Sequence, residues 1–188
     1  MPPIVWPISL TCLRLFLGPA AILMAFLGAA RLWFAPLLLA GMLSDLFDGV
    51  LARRFGVTTP WLRRFDSLTD DLFYICILIA TGQAAGDTLR RCLPLVVALL
   101  ASEALCIVTS LIRFKALPAT HCYSAKAYGL ALFLAFLAVL SLGAGTWVVW
   151  VLAVVGLTAN VEVMAVLLLA TKPPVDVPSV FILLRHSS

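Results

Sequence analysis

The chain has 188 residues, of which 63% are hydrophobic and only 12% are charged. A soluble globular domain carries about 25% charged residues, so this composition excludes water as the main solvent of the protein. The net charge of +4 comes from basic residues near the ends of apolar segments. This placement favours an anionic lipid surface or a phosphorylated substrate over nucleic acid as the partner.

Six apolar segments are long enough to cross a membrane as helices, which takes about 20 residues. They cover about residues 8–29, 33–52, 68–86, 92–113, 127–145 and 147–170. We therefore expect an all-α integral membrane protein, with residues 1–188 forming one domain of six transmembrane helices in one bundle. The first segment has no basic segment before it and no cleavage pattern after it, so we do not interpret it as a signal peptide.

The distribution of basic residues predicts the orientation of the chain. With six spans, nine Lys and Arg residues fall on the side of the termini and three on the other side. The nine are Arg53, Arg54, Arg63, Arg64, Arg113, Lys115, Lys126, Lys172 and Arg185, and the three are Arg31, Arg90 and Arg91. Both termini are therefore expected in the cytoplasm. Arg14 lies inside the first span, within about two turns of its cytoplasmic end, and one interpretation is that its side chain extends to the water interface.

The cysteines show no CxxC pair and lie mostly inside apolar segments. They are Cys12, Cys76, Cys92, Cys106 and Cys122. We interpret them as small buried hydrophobic residues rather than as metal ligands or redox groups.

Acidic residues are concentrated at the end of the second span and the start of the third. Five of the nine, Asp45, Asp48, Asp66, Asp70 and Asp71, lie within 27 residues. Asp45 and Asp48 are three residues apart, and Asp66 and Asp70 are four apart, so each pair shares one face of its helix. The segment FGVTTPW is expected to break the helix between the two pairs through Gly56 and Pro60, and a new helix is expected to start near Trp61.

Such a cluster requires compensation, because one aspartate near the centre of a transmembrane helix costs roughly 2.5–3.5 kcal/mol on insertion scales. One possibility is a set of salt bridges to nearby arginines, namely Arg53, Arg54, Arg63 and Arg64. The other is a hard oxygen site for Mg²⁺ or Mn²⁺, since no His or Cys lies nearby. Paired carboxylates on two adjacent helices favour two metal ions, an arrangement that is typical of phosphoryl transfer.

The segment DLFDGVLAR followed by DSLTD resembles the signature of the CDP-alcohol phosphatidyltransferase family. The matching residues are Asp45, Asp48, Gly49, Ala52, Arg53, Asp66 and Asp70. The resemblance implies that the four aspartates form a binuclear metal site, with Asp70 also acting as the base for the incoming hydroxyl. It implies that Asp45, Gly49 and Ala52 lie beside the nucleotide. Arg53 would meet the diphosphate, for which a planar guanidinium is well suited.

The resemblance also implies the overall reaction and its setting. A phosphatidyl group would pass from CDP-diacylglycerol to a small alcohol, with or without its own phosphate, and CMP would be released in phospholipid biosynthesis. A homodimer in a bacterial-type inner membrane, with the active site facing the cytoplasm, is expected. Arg113 and Lys126 are the candidates for binding a phosphate on the acceptor, and Lys115 and His121 lie on the same side.

Three positions differ from the usual family pattern. Leu62 stands where glycine is common, Asp71 where lysine often follows the last aspartate, and Ile8 where asparagine often opens the motif of the first span. The other residues of that first motif, Thr11, Arg14 and Pro19, are present.

Two other functions also use intramembrane aspartates. A divalent-metal transporter requires polar residues along a path across the bilayer, but the outer halves of these spans offer only Glu103, Glu162 and scattered Ser or Thr. A polyprenyl transferase binds a diphosphate through aspartate-rich motifs, but these usually lie in separate halves of a larger bundle. The sequence does not indicate which alcohol is the acceptor.

Overall fold

The structure is a computed structural model that describes residues 5–118, 120, 122–174, 177 and 179–180. Over this part of the chain it contains seven α-helices and no strand. They are α1 (Val5–Phe26), α2 (Phe34–Arg54), α3 (Pro60–Ala84), α4 (Gly86–Arg91), α5 (Leu93–Phe114), α6 (Tyr123–Phe136) and α7 (Trp147–Leu169). A short 3₁₀ helix, Arg31–Trp33, precedes α2, and a π-helical segment, Leu137–Ser141, continues α6. The predicted all-α fold is confirmed.

Most of these helices have the length and hydropathy of membrane spans. Among the described residues, five segments meet both criteria: Val5–Phe26, Arg31–Arg54, Leu93–Phe114, Tyr123–Ser141 and Trp147–Leu169. The helix α3 is also long enough, at 25 residues, but its first half carries charged side chains. Large apolar side chains such as Phe16, Leu27 and Ile112 are exposed on the protein surface, where lipid tails would cover them. The chain is a multi-pass membrane protein.

The turn between α2 and α3 is specified by its local sequence. Gly56 has a φ of +65°. Its N–H donates to the carbonyl of Arg53 at 3.2 Å, and the N–H of Val57 donates to that of Ala52 at 3.1 Å, so α2 ends in a Schellman motif. Thr59 then caps α3 by accepting the N–H of Leu62 at 3.1 Å, with a proline at the first helical position. For this reason α3 begins eight residues before the apolar segment predicted from about residue 68.

One compact unit comprises Met1–Leu89 and Phe136–Ala144. Within it α1 packs against both α2 and α3. Glycines permit close approach: a Cβ on Gly18 would lie 3.0 Å from the Cβ of Cys76, and a Cβ on Gly41 would lie 2.6 Å from the ring of Phe73. Small residues at such positions are typical of helix packing in membranes.

A second compact unit comprises Arg90–Ala135 and Gly145–Ser188. Within it α5 packs against α7. The amide of Asn160 donates to the hydroxyl of Ser102 at 2.8 Å, and the Sγ of Cys106 lies 3.5 Å from the carbonyl of Asn160. Interhelical hydrogen bonds of this kind stabilise apolar helix pairs in lipid.

The cysteines are free thiols in the structure. Cys92, Cys106 and Cys122 are buried, whereas Cys12 and Cys76 are partly buried. Their interpretation as small hydrophobic residues agrees with these positions.

Candidate active site

The acidic residues of α2 and α3 meet beside α1, in the first compact unit. Asp45 and Asp48 lie on α2, and Asp66 and Asp70 lie on α3. The capped turn described above follows the first pair closely and precedes the second pair. Because α1 packs against both helices, it is the element that can supply a side chain to both pairs.

The side chain that joins the four carboxylates is Arg14 of α1. Its Nη1 donates to Asp45 at 3.0 Å and to Asp70. Its Nη2 donates to Asp48 and to Asp66, the latter at 2.5 Å. Each terminal nitrogen therefore links one aspartate of α2 to one aspartate of α3.

The position of Arg14 differs from the expected one. Its side chain is 1% exposed, so it is directed into the protein and the interpretation that it extends to the water interface is wrong. The cause is the four carboxylates, since a buried guanidinium that is hydrogen-bonded to several of them is far better compensated than an isolated one. Salt bridges to an arginine, one of the two forms of compensation considered from the sequence, are therefore present. The arginine belongs to α1, which was not among the candidates.

A second residue of α1 also contacts the cluster. Thr11 lies three residues before Arg14, on the same helix face. Its hydroxyl lies 3.0 Å from the Oδ2 of Asp48 and 3.1 Å from the carbonyl oxygen of Pro7. The sequence places both residues in the first-span motif of the family but does not connect them to the aspartates, although a hydroxyl and an arginine on one face of an otherwise apolar helix are a signal for an intramembrane polar site.

The cluster has a buried end and an open end. The side chain of Asp48 is 4% exposed, whereas that of Asp45 is 51% exposed. Asp66 and Asp70 lie between these extremes. A substrate can therefore approach from the side of Asp45, while Asp48 is enclosed against α1.

The residues of the cluster fit a divalent cation. One oxygen each from Asp45, Asp48 and Asp66 lies within 4.8 Å of the others. The donors are all carboxylate oxygens, which Mg²⁺ and Mn²⁺ prefer. A single guanidinium faces four carboxylates, so ionised carboxylates leave negative charge for a further cation to neutralise. Asp45, Asp48 and Asp66 are therefore the candidates to hold it, whereas Asp70 joins the cluster through its contact with Arg14.

The residues expected beside a nucleotide follow Asp48 along α2. Arg53 is exposed, and its Nη1 lies 3.4 Å from the position that a Cβ on Gly49 would take. The guanidinium thus lies in van der Waals contact with the place that a side chain at residue 49 would take. Ala52 is buried. Asp45, Gly49 and Arg53 are accessible, while Ala52 can only shape the wall behind them.

Two of the positions that differ from the family pattern lie on α3. Leu62 is 4% exposed and occupies the first turn of the helix. Asp71 is exposed and is not one of the four aspartates paired with Arg14. Asp71 therefore lies outside the set of carboxylates that the structure brings together.

The candidate acceptor residues belong to the second compact unit. Arg113 donates to the carbonyl oxygens of Leu168 at 2.8 Å and Ala170 at 3.4 Å, so it caps the end of α7. Lys126 is exposed, with its Nζ 5.6 Å from the centroid of the Tyr123 ring. His121 lies outside the described residues. The structure thus gives Arg113 a structural role that the sequence did not indicate.

The fold and the site define a multi-pass membrane protein with an acidic, oxygen-rich centre between three of its helices. The family model of the CDP-alcohol phosphatidyltransferases matches residues 4–179, nearly the whole chain, and the chain belongs to this family. No curated protein and no solved structure shows a significant match. The family consists of phosphotransferases of phospholipid biosynthesis that generally depend on a divalent metal. The chain is therefore an enzyme, as the sequence predicted.

Proposed function

We propose that this enzyme transfers a phosphatidyl group from CDP-diacylglycerol to a small alcohol, with or without its own phosphate, and releases CMP. The observation that carries the proposal is the convergence of four aspartates from α2 and α3 on one buried arginine. Four carboxylates on two helices are far more than one arginine needs as counterions. They suit a site that must also neutralise a diphosphate.

The proposed cofactor is a pair of Mg²⁺ or Mn²⁺ ions held by the four aspartates. The all-oxygen donor set and the spacing of three of its oxygens within 4.8 Å support a metal site. When bound, such ions neutralise the phosphate oxygens and stabilise the oxygens that enter and leave.

In the proposed reaction, the chain's own residues position the groups and move one proton. Asp70, whose side chain is partly exposed, accepts the proton of the acceptor hydroxyl. The hydroxyl oxygen forms a bond to the phosphorus on the lipid side of the diphosphate. The bond from that phosphorus to the bridging oxygen breaks, and the electron pair leaves with CMP.

The nucleotide is proposed to lie along the open side of α2. Asp45 and Gly49 would flank it, Ala52 would form the wall behind it, and Arg53 would bind the diphosphate. A guanidinium next to a glycine supports this arrangement, because a phosphate can reach the fork without a clash.

The acceptor and the cellular setting are also proposals. Arg113 and Lys126 are proposed to bind a phosphate on the acceptor, with Lys126 the better candidate because Arg113 already caps α7. The excess of basic residues on one side supports a location in a bacterial-type inner membrane with the site and both termini facing the cytoplasm. A homodimer is proposed from family membership.

The test is CMP release from labelled CDP-diacylglycerol by the purified protein with a panel of acceptor alcohols. We expect activity with Mg²⁺ or Mn²⁺, none in EDTA, and a fall of more than about 100-fold for Asp45→Asn or Asp66→Asn. Asp71→Asn is the matched control, because it removes the same charge from an exposed position outside the cluster. Undiminished CMP release in EDTA would contradict the proposal.

A further inference from the structure

Arg14 donates hydrogen bonds to carboxylate oxygens, the same type of ligand that a divalent ion requires. Its two terminal nitrogens contact one oxygen of every aspartate in the cluster: Oδ1 of Asp45, Asp66 and Asp70, and Oδ2 of Asp48. Three of these aspartates are also the ones whose oxygens lie close enough together to hold a metal ion. The guanidinium and the ion therefore depend on overlapping sets of ligands.

We propose that Arg14 is a built-in cation that competes with the divalent ions for the aspartates of the active site. It holds the four carboxylates together when no ion is bound, and it gives up part of its ion pairs when an ion binds. This inference rests on the metal dependence proposed above and adds a residue of α1 to the metal site.

Charge and burial together support competition. The guanidinium is 1% exposed, so water screens it little, and a divalent ion at the same carboxylates would be repelled by it. In addition, the Nε of Arg14 is buried and has no hydrogen-bond partner among the described residues. The carboxylates, rather than contacts along α1, therefore fix the position of the guanidinium, and it can shift when they turn to another cation.

The difference in burial among the four aspartates indicates which ion pair of Arg14 persists when a metal ion binds. Asp48 is enclosed and also contacts Thr11 of α1 at 3.0 Å. The other three aspartates are more exposed and can turn toward an arriving ion with less rearrangement. Arg14 thus keeps its ion pair with Asp48 and releases oxygens of the other three aspartates to the metal ion.

The direction in which metal affinity changes when Arg14 is replaced distinguishes a competing cation from a residue that only positions the metal ligands. A residue that only positions metal ligands lowers metal affinity when it is removed, typically by about 10–100-fold. A competing cation has the opposite effect, because its removal leaves the carboxylates available and increases their net negative charge. In the absence of metal, the same removal destabilises the fold, since the carboxylates then repel one another without a counterion.

The experiment is a titration of the purified, substrate-free protein with Mn²⁺, in which free Mn²⁺ is measured by electron paramagnetic resonance. We expect Arg14→Gln to lower the Kd for Mn²⁺ by at least about tenfold. We also expect it to lower the thermal unfolding midpoint in EDTA and to increase the stabilisation by Mn²⁺. Arg54→Gln, at an exposed position near the end of α2, removes the same charge and should leave the Kd within about twofold of the native value.

An Arg14→Gln protein with equal or weaker Mn²⁺ affinity would overturn the inference, whereas one that folds only with Mn²⁺ would support it. If this variant does not fold under either condition, Arg14→Lys decides. Its ammonium keeps the charge but lacks the two-pronged fork, so a Kd between about twofold and tenfold below the native value is expected, and an unchanged or higher Kd overturns the proposal. Absence of Mn²⁺ binding in every variant and in the native protein would overturn the metal dependence as well.

Discussion

Leu62, which departs from the family pattern, is a buried residue in the first turn of α3. Its side chain is nearly fully buried, and its N–H is bound by Thr59 in the first turn of α3. A leucine there contributes apolar burial at the start of the helix that carries Asp66 and Asp70. The structure therefore supports a packing role for it.

Leu62→Gly should weaken the fold more than it changes nucleotide binding. Loss of a buried leucine side chain in favour of glycine costs about 2–5 kcal/mol, so the thermal unfolding midpoint should fall. The Kd for CDP, measured by calorimetry with Mg²⁺, should stay within a few fold. Leu68→Gly, at an exposed position of the same helix, controls for the backbone effect of glycine. If the native protein does not bind CDP and Leu62→Gly does, the leucine closes the nucleotide pocket and the transferase proposal fails.

Lys126→Ala should raise the KM for a phosphorylated acceptor and leave the binding of the CDP-lipid nearly intact. Loss of a hydrogen bond to a charged group is worth about 1.5–3 kcal/mol, which corresponds to at least about a tenfold change in KM. Arg113→Ala should raise the same KM. It should also lower the thermal unfolding midpoint, because Arg113 caps the end of α7. Equal weakening of donor binding would show that these residues serve the CDP-lipid instead.

The helix α1 combines its polar residues and its small residues on one face. Its buried positions are Pro7, Thr11, Arg14, Gly18, Ala21 and Ala25. The small residues allow close approach of neighbouring helices, and the polar pair lies on the same face toward the N-terminal end. Close packing and the acidic site therefore depend on one another within this unit.

Gly41→Ala should destabilise the first compact unit. The added Cβ would lie 2.6 Å from the buried ring of Phe73, and overpacking of this kind costs about 1–3 kcal/mol. A lower thermal unfolding midpoint is therefore expected, with partial recovery in the Gly41→Ala, Phe73→Leu double variant. Gly129→Ala in α6 is the control, since a Cβ there meets no atom of the described residues within 4 Å. An unchanged midpoint for Gly41→Ala would show that the ring moves aside at little cost.

The helices could be predicted from hydropathy because lipid requires long apolar segments, and the paired aspartates could be predicted from helical spacing. The start of α3 near Trp61 could also be predicted, because Gly56 and Pro60 break the preceding helix, although its polar first turns precede the apolar segment that hydropathy marks from about residue 68. The pairing of Arg14 could not be predicted. It depends on contacts between residues 31 to 56 positions apart, which local periodicity does not encode.

At the scale of the whole molecule, the alternation of spans and turns allows a direct test of orientation. Thr58 lies between α2 and α3, and Asp87 lies in α4, one span further along. Both are exposed. In a protein whose native cysteines have been replaced, Thr58→Cys should react with a membrane-impermeant thiol reagent only from the cytoplasmic side, and Asp87→Cys only from the opposite side. Labelling of both from one side would contradict the six-span topology.

The burial of Arg14 among aspartates from later helices has a consequence for biosynthesis. Because the chain is made from its N-terminus, α1 reaches the membrane before the helices that carry the carboxylates. An arginine near a helix centre costs roughly 2.5–3.5 kcal/mol on insertion scales, and the strongly apolar remainder of α1 can offset this cost. When the acidic ends of α2 and α3 insert later, Arg14 is already in the membrane. The aspartates therefore need not enter the bilayer without a counterion. The order of synthesis thus places the arginine in a helix that is more apolar than either helix that carries the aspartates.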